Sequence, residues 1–179
     1  MSLDNGPLFG FKPGGPSTEL LACLNFVDDH MGGAAKGYRQ AAELLTQCLG
    51  DRKGDLDFLV YPIVFLWRHY LELELKVLRQ ALQGKGDLHH KLILLWQECR
   101  SLLERHVCSP DSGDLDKIEG RIREFQDIDP DSMAFRYTKH KKTGRSIVPG
   151  KHIDLGRLFN LMREIADQLE EWVECAEGG

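Results

Sequence analysis

A chain of 179 residues suits one domain with a sizeable core. At 42% hydrophobic and 28% charged residues it is neither disordered nor fibrous in composition. Its charge of −5 is unevenly placed, and its five cysteines (Cys23, Cys48, Cys99, Cys108, Cys175) are odd in number and hold no C-x-x-C pair. That pattern argues against a disulfide framework and a zinc knuckle, and it suits a reducing cytoplasm. No basic-then-apolar signal segment opens the sequence, and the longest apolar run, 58–67, is too short to cross a bilayer.

Residues 1–16 are rich in Gly and Pro and read as an irregular arm. A short helix over 17–30, capped by Ser17 or Thr18, should end at Gly32-Gly33. A second helix, 34–49, gathers Tyr38, Ala41, Ala42, Leu45, Cys48 and Leu49 on one face. After a turn over 50–55 comes the most informative stretch, 58–83. Its apolar residues Leu59, Ile63, Leu66, Tyr70, Leu73, Val77, Leu78 and Ala81 recur at helical spacing. His69, Glu72, Lys76, Arg79 and Gln83 form a polar stripe on the opposite side. Arg68 lies beside that stripe and can reach Glu72, which can in turn reach Lys76. Pro62 is tolerable only in a first turn, which places the helix start near 59–62.

Gly84-Lys85-Gly86 breaks this helix, and Asp87 is a candidate cap for the next, 90–106, with Leu92, Leu95, Trp96, Cys99, Leu102, Leu103 and His106 in register. A shorter helix over 115–125 should bury Leu115, Ile118, Ile122 and Phe125, and the segment 127–130 stops it. Phe135-Arg136-Tyr137, a Lys-Thr-Gly-Arg turn and Ser146-Ile147-Val148 resemble a small hairpin closed by Pro149-Gly150. The last helix, 154–175, aligns Leu155, Leu158, Met162, Ile165, Leu169 and Trp172. The expected fold is all-α: one up-down bundle of four to five main helices over 17–176, with a small basic hairpin or extended segment before the C-terminal helix. Trp96 and Trp172 lie on core stripes.

The hairpin region concentrates charge. From Ser132 to Ile153 there is no acid, while Arg136, Lys139, Lys141, Lys142, Arg145 and Lys151 are cationic, and the rest of the chain is correspondingly acidic. A molecule polarised in this way offers its basic end to an anionic partner; a solvated loop kept soluble by lysines is the ordinary alternative.

Four pieces in fixed order carry a family resemblance. They are Ala41–Leu45 (AAELL), Arg68–Lys76 (RHYLELELK), His90-Lys91-Leu92 leading to Leu95-Trp96, and Phe135-Arg136-Tyr137 ahead of Ile153-Asp154-Leu155. Together they resemble the HEPN superfamily, helical bundles associated with nucleotide binding and RNA cleavage. The resemblance covers about residues 34–172 and implies a dimer acting on RNA or nucleotides without metal or cofactor, in a toxin–antitoxin or defence setting. It departs at one point: nuclease members carry Arg, four to six residues, then His. Here Arg100–His106 and Arg145–His152 fit by count alone, the first pair splayed about a helix and the second spanning Pro149-Gly150.

On the residues themselves, Arg68 and His69 are the candidate catalytic pair: a guanidinium to hold phosphate and an imidazole to move a proton. Glu72, Lys76, His90, Arg136, Tyr137, Lys141, Lys142 and Arg145 are candidates for substrate or phosphate binding. The structural alternative is a ladder in which Glu72 ties Arg68 to Lys76. Adjacent His89 and His90 at a helix start raise the question of metal, but there is no His-Glu-x-x-His or Cys pair to complete a site. Arg136 could turn back to the Arg68–Glu72 seam, pair with Asp154, or face phosphate. The leading reading is a dimeric RNA- or nucleotide-associated binding or interaction module, catalytically degenerate, which could also take a protein partner. A metal-independent RNase using Arg68 and His69 comes second, and a nucleic-acid binder working through the basic hairpin third.

Overall fold

A computed structural model describes residues 30–50, 55–84, 89–107, 109–130, 132–137 and 152–178. Five helices account for most of them: α1 (His30–Gly50), α2 (Leu56–Ala81), α3 (Leu92–Leu103), α4 (Ser112–Ile128) and α5 (Leu155–Gly178). The all-α expectation holds. The arm over 1–16, the 17–29 stretch, Asp87 and residues 138–151 lie outside the described residues, so the basic hairpin does too.

The bundle is organised around α2, which packs against α1, α3 and α5, while α3 carries α4 and α1 also meets α5. The reason is in its sequence: from Ile63 to Arg79 nearly every side chain is buried, including Trp67, Leu71, Leu75 and Leu78 with no exposed surface. Each such side chain contributes about 1.5–3 kcal/mol by leaving water. With neighbours on three sides, α2 keeps only a partly exposed edge along its middle, at Phe65, Leu66, His69 and Leu73. The polar stripe therefore lies inside the bundle: Glu72, Lys76 and Arg79 are buried with the leucines.

The start of α2 departs from expectation, whereas its end falls at the expected Gly84 break. Asp55 caps the helix, its side chain accepting from the Asp57 amide at 2.9 Å, so the helix starts at Leu56 and Pro62 falls in its second turn. A proline there supplies no N–H to the Phe58 carbonyl, but Phe58 is 74% exposed and water can serve instead. At the other end Gln83 has φ 57°, and the Gly84 amide donates to the Arg79 carbonyl at 2.8 Å. A Cβ on Gly84 would stand 2.6 Å from Arg79 Cγ, so the close approach itself demands glycine.

Gly32-Gly33 does not end a helix; α1 runs through it from His30. Gly32 and Ala35 are buried, and packing along α2 overrides the weak helix propensity of glycine. The later helices follow expectation closely, with Leu115, Ile118, Ile122 and Phe125 buried on α4. Polar clamps fix their partners: Arg100 binds Asp116 at 2.7 Å and Glu119 at 2.8 Å across α3 and α4, and Arg39 of α1 binds Glu170 of α5 at 2.8 Å. Trp96 and Trp172 are core residues, their rings stacked 6.3 Å apart.

Two further expectations change. The segment Met133–Tyr137 is a helical turn, with the Arg136 and Tyr137 amides both donating to the Met133 carbonyl, not a strand. Phe135 is consequently buried while Tyr137 is 43% exposed, so the two do not share a face. Cys48 and Cys99 are free thiols, but Cys175 is disulfide-bonded, which the cysteine count did not suggest. Among the described residues no helix is long and apolar enough to cross a membrane.

Candidate functional site

The i, i+4 spacing of Arg68, Glu72 and Lys76 lays one carboxylate between two cations, and the ladder forms as that spacing predicts. Arg68 Nη1 donates to Glu72 Oε2 at 3.0 Å, and Lys76 Nζ donates to Glu72 Oε1 at 2.8 Å. A third partner arrives from outside the helix: His90 Nδ1 stands 2.8 Å from Glu72 Oε1. Glu72 is 4% exposed. Burial pushes its carboxyl up, but hydrogen bonds from Lys76, His90 and Arg68 outweigh that and hold it below the ordinary carboxylate range.

The contact with an ionised carboxylate assigns the His90 tautomer, since Nδ1 must donate. The other nitrogen, Nε2, belongs to a side chain that is 81% exposed. Glu72 thus presents an oriented imidazole to solvent from a buried anchor.

Arg68 is not in a position to clasp a ligand. Its side chain is 1% exposed, and its donors are directed at Glu72, at the His90 carbonyl (3.2 Å) and toward Asp129 Oδ2. The last contact, Nε to Oδ2 at 3.5 Å, is an ion pair without the alignment of a hydrogen bond. Arg68 works as an internal strut joining α2 to the segments that carry His90 and Asp129.

His69, one turn before Glu72, is half-buried against aromatic rings. Tyr38 of α1 meets it edge-on with centroids 4.4 Å apart, and Phe65 stacks on it at 5.7 Å with planes 7° apart. Burial lowers its affinity for a proton; Glu72 partly offsets this, while Arg68, Lys76 and Arg136 add to the depression. His69 is therefore neutral near pH 7.

Arg136 completes the group. Its guanidinium lies over the Phe65 ring at 5.7 Å, and its Nε donates to the Ser132 carbonyl at 2.6 Å. Among the described residues it pairs with neither Glu72 nor Asp154. Tyr137 follows it at the exposed end of the same turn. His90 and Arg136 thus join Arg68 and His69 around α2, whereas His89 faces Glu98 at 3.5 Å, and Glu98 also takes Arg79. Lys141, Lys142 and Arg145 lie outside the described residues.

Three contributors escape a reading of the sequence: Tyr38, Phe65 and Asp129. Tyr38 and Phe65 sit on apolar stripes and look like core. Asp129 reads only as part of a helix stop, although an Asp opening a turn can accept from amides further on, as this one does. Taken together, both carboxylates of the cluster are buried, while the groups that reach solvent are two imidazoles and a guanidinium. No family model, no curated protein and no solved structure matches this chain.

Proposed function

We propose that the chain is a HEPN-like helical module that associates with RNA or nucleotides through the surface formed by His69, His90, Arg136 and Tyr137, working as a homodimer. One observation carries the reading: the two carboxylates of the cluster are buried, and among its described residues the ionisable groups that reach solvent are His69, His90 and Arg136. Such a surface has little to offer a cation or a hydrophobic peptide. It offers a phosphate one permanent positive charge at Arg136 and hydrogen-bond donors beside it. Tyr137, 43% exposed next to Arg136, gives a base or sugar a ring to rest on. Arg68, Glu72 and Lys76 support this surface from beneath.

The reading is tested by fluorescence anisotropy with a labelled single-stranded RNA and with ATP across a salt series. Binding that weakens as salt rises, and is reduced by Arg136→Ala and His90→Ala with unchanged melting temperature, supports it. Failure of the intact protein to bind either ligand at low salt removes it.

Metal-independent RNA cleavage is the second reading, favoured by the neutral His69 and by the oriented His90–Glu72 pair. Cleavage of RNA in EDTA, lost in His69→Ala or His90→Ala, would establish it.

A further inference from the structure

We infer that Asp129 is the positioning residue of this surface: it sets where the Arg136 guanidinium stands, and through Arg68 it fixes that guanidinium relative to His90. The inference rests on the proposed function for its significance, but its geometry is independent of any ligand. Asp129 is the C-cap of α4, its own amide donating to the Phe125 carbonyl at 2.9 Å. A carboxylate at a helix C-terminus faces the negative end of the helix dipole, and capping there favours Gly or Asn. This carboxylate is also only 1% exposed. An acid placed in that way needs compensation, and the contacts show where it comes from.

Oδ1 accepts from the Met133 amide at 2.6 Å and the Ala134 amide at 2.9 Å, fastening the start of the turn that carries Arg136. Oδ2 faces Arg68 Nε at 3.5 Å. Between these anchors Ser132 is held at φ 57°, a conformation uncommon for a residue with a Cβ. The carbonyl of that same Ser132 receives Arg136 Nε at 2.6 Å. Chain bend, unusual backbone and guanidinium contact therefore form one connected unit that ends over the Phe65 ring. Arg68 also holds the His90 carbonyl, so one buried ion pair sets both flanks of the surface.

The test reads Arg136 directly. A guanidinium lying over an aromatic ring places its Cδ–Hδ signal upfield, and Phe65→Leu supplies the unshifted reference position. In the intact protein the Arg136 signal should lie upfield of that reference. Asp129→Ala should move it to the reference position, and Asp129→Asn, which keeps an acceptor for the two amides, should restore it. Should Asp129→Ala not fold, Asp129→Glu takes its place: it retains the charge beside Arg68 but displaces the acceptor, and the signal should again move. A signal that stays upfield in Asp129→Ala, or in Asp129→Glu when that variant is used, while the melting temperature falls, overturns the assignment and leaves Asp129 a purely structural acid. So does an intact protein whose signal coincides with that of Phe65→Leu.

Affinity for the labelled RNA gives the functional arm. Asp129→Ala and Arg136→Ala should each lose roughly tenfold, and the double variant no more than either, since both remove the same contact. Additive losses overturn the inference. An intact protein that binds no RNA removes the proposed function but leaves the signal of Arg136 to decide the role of Asp129.

Discussion

Glu72 is the residue on which the polar interior depends. Three cationic or imidazole groups converge on its two oxygens, and two of them, Arg68 and Lys76, are buried charges that it neutralises. Glu72→Gln removes the carboxylate that Lys76 binds and leaves Arg68 with Asp129 alone, while Arg68→Ala removes the cation that faces Asp129 and one of the cations on Glu72. Breaking one side of a buried ion pair costs roughly 3–5 kcal/mol, so both variants should show that loss in urea unfolding. A loss below about 1 kcal/mol would mean the pairing is no better than a surface contact. The pH dependence follows from the same environment. His69 is depressed below its ordinary 6.5, so the unfolded chain takes up the proton first and stability falls as pH drops below that value. Glu72 is held below its ordinary 4.5, and its contribution is present above that value and lost on further acidification. Unfolding measured at pH 7.5 and 5.5 should show the first decline in the intact protein and a smaller one in His69→Gln.

Among the elements, α2 shows both the reach and the limit of reading this sequence. Its length, its apolar spacing and the Arg68–Glu72–Lys76 ladder are local, periodic features, and all three were legible. What spacing cannot show is how many neighbours surround a helix. Spacing sets the polar stripe opposite the apolar one, but it cannot show that α1, α3 and α5 all pack on α2 and bury Glu72, Lys76 and Arg79. For the same reason His90 and Asp129, contacts made 18 and more residues away in the chain, could not be assigned as partners of the seam from sequence. Pro62 was misplaced because the Asp55 cap lies further upstream than an apolar pattern indicates. That placement has a consequence: Pro62→Ala restores the missing donor to the Phe58 carbonyl and should stabilise the protein, by up to roughly 3 kcal/mol. Helix α3 supplies another check. Burial pushes the Cys99 thiol up to about 12, and its Sγ donates to the Leu75 carbonyl at 3.2 Å, so it should resist alkylation. Cys48, only half-buried on α1, should be labelled before Cys99 when the native protein is treated with iodoacetamide and mapped by mass spectrometry.

At the scale of the whole molecule, an acidic chain of charge −5 holds a small cluster in which, among the described residues, His69, His90 and Arg136 are the ionisable groups that reach solvent. The fold explains how: α2 keeps Glu72 in the interior, the start of α3 brings His90 to it, and the turn after α4 delivers Arg136 over Phe65. A homodimer would double that surface, and sedimentation should then give twice the 20.4 kDa mass of one chain. The role proposed for this surface is to receive phosphate. The most direct test is the affinity of the intact protein for a labelled single-stranded RNA at rising salt, beside Arg136→Ala and His90→Ala of equal melting temperature. Salt-sensitive binding that both substitutions weaken is the expected result; equal affinity in all three proteins, or none in the intact one, would contradict a phosphate-binding role for this surface.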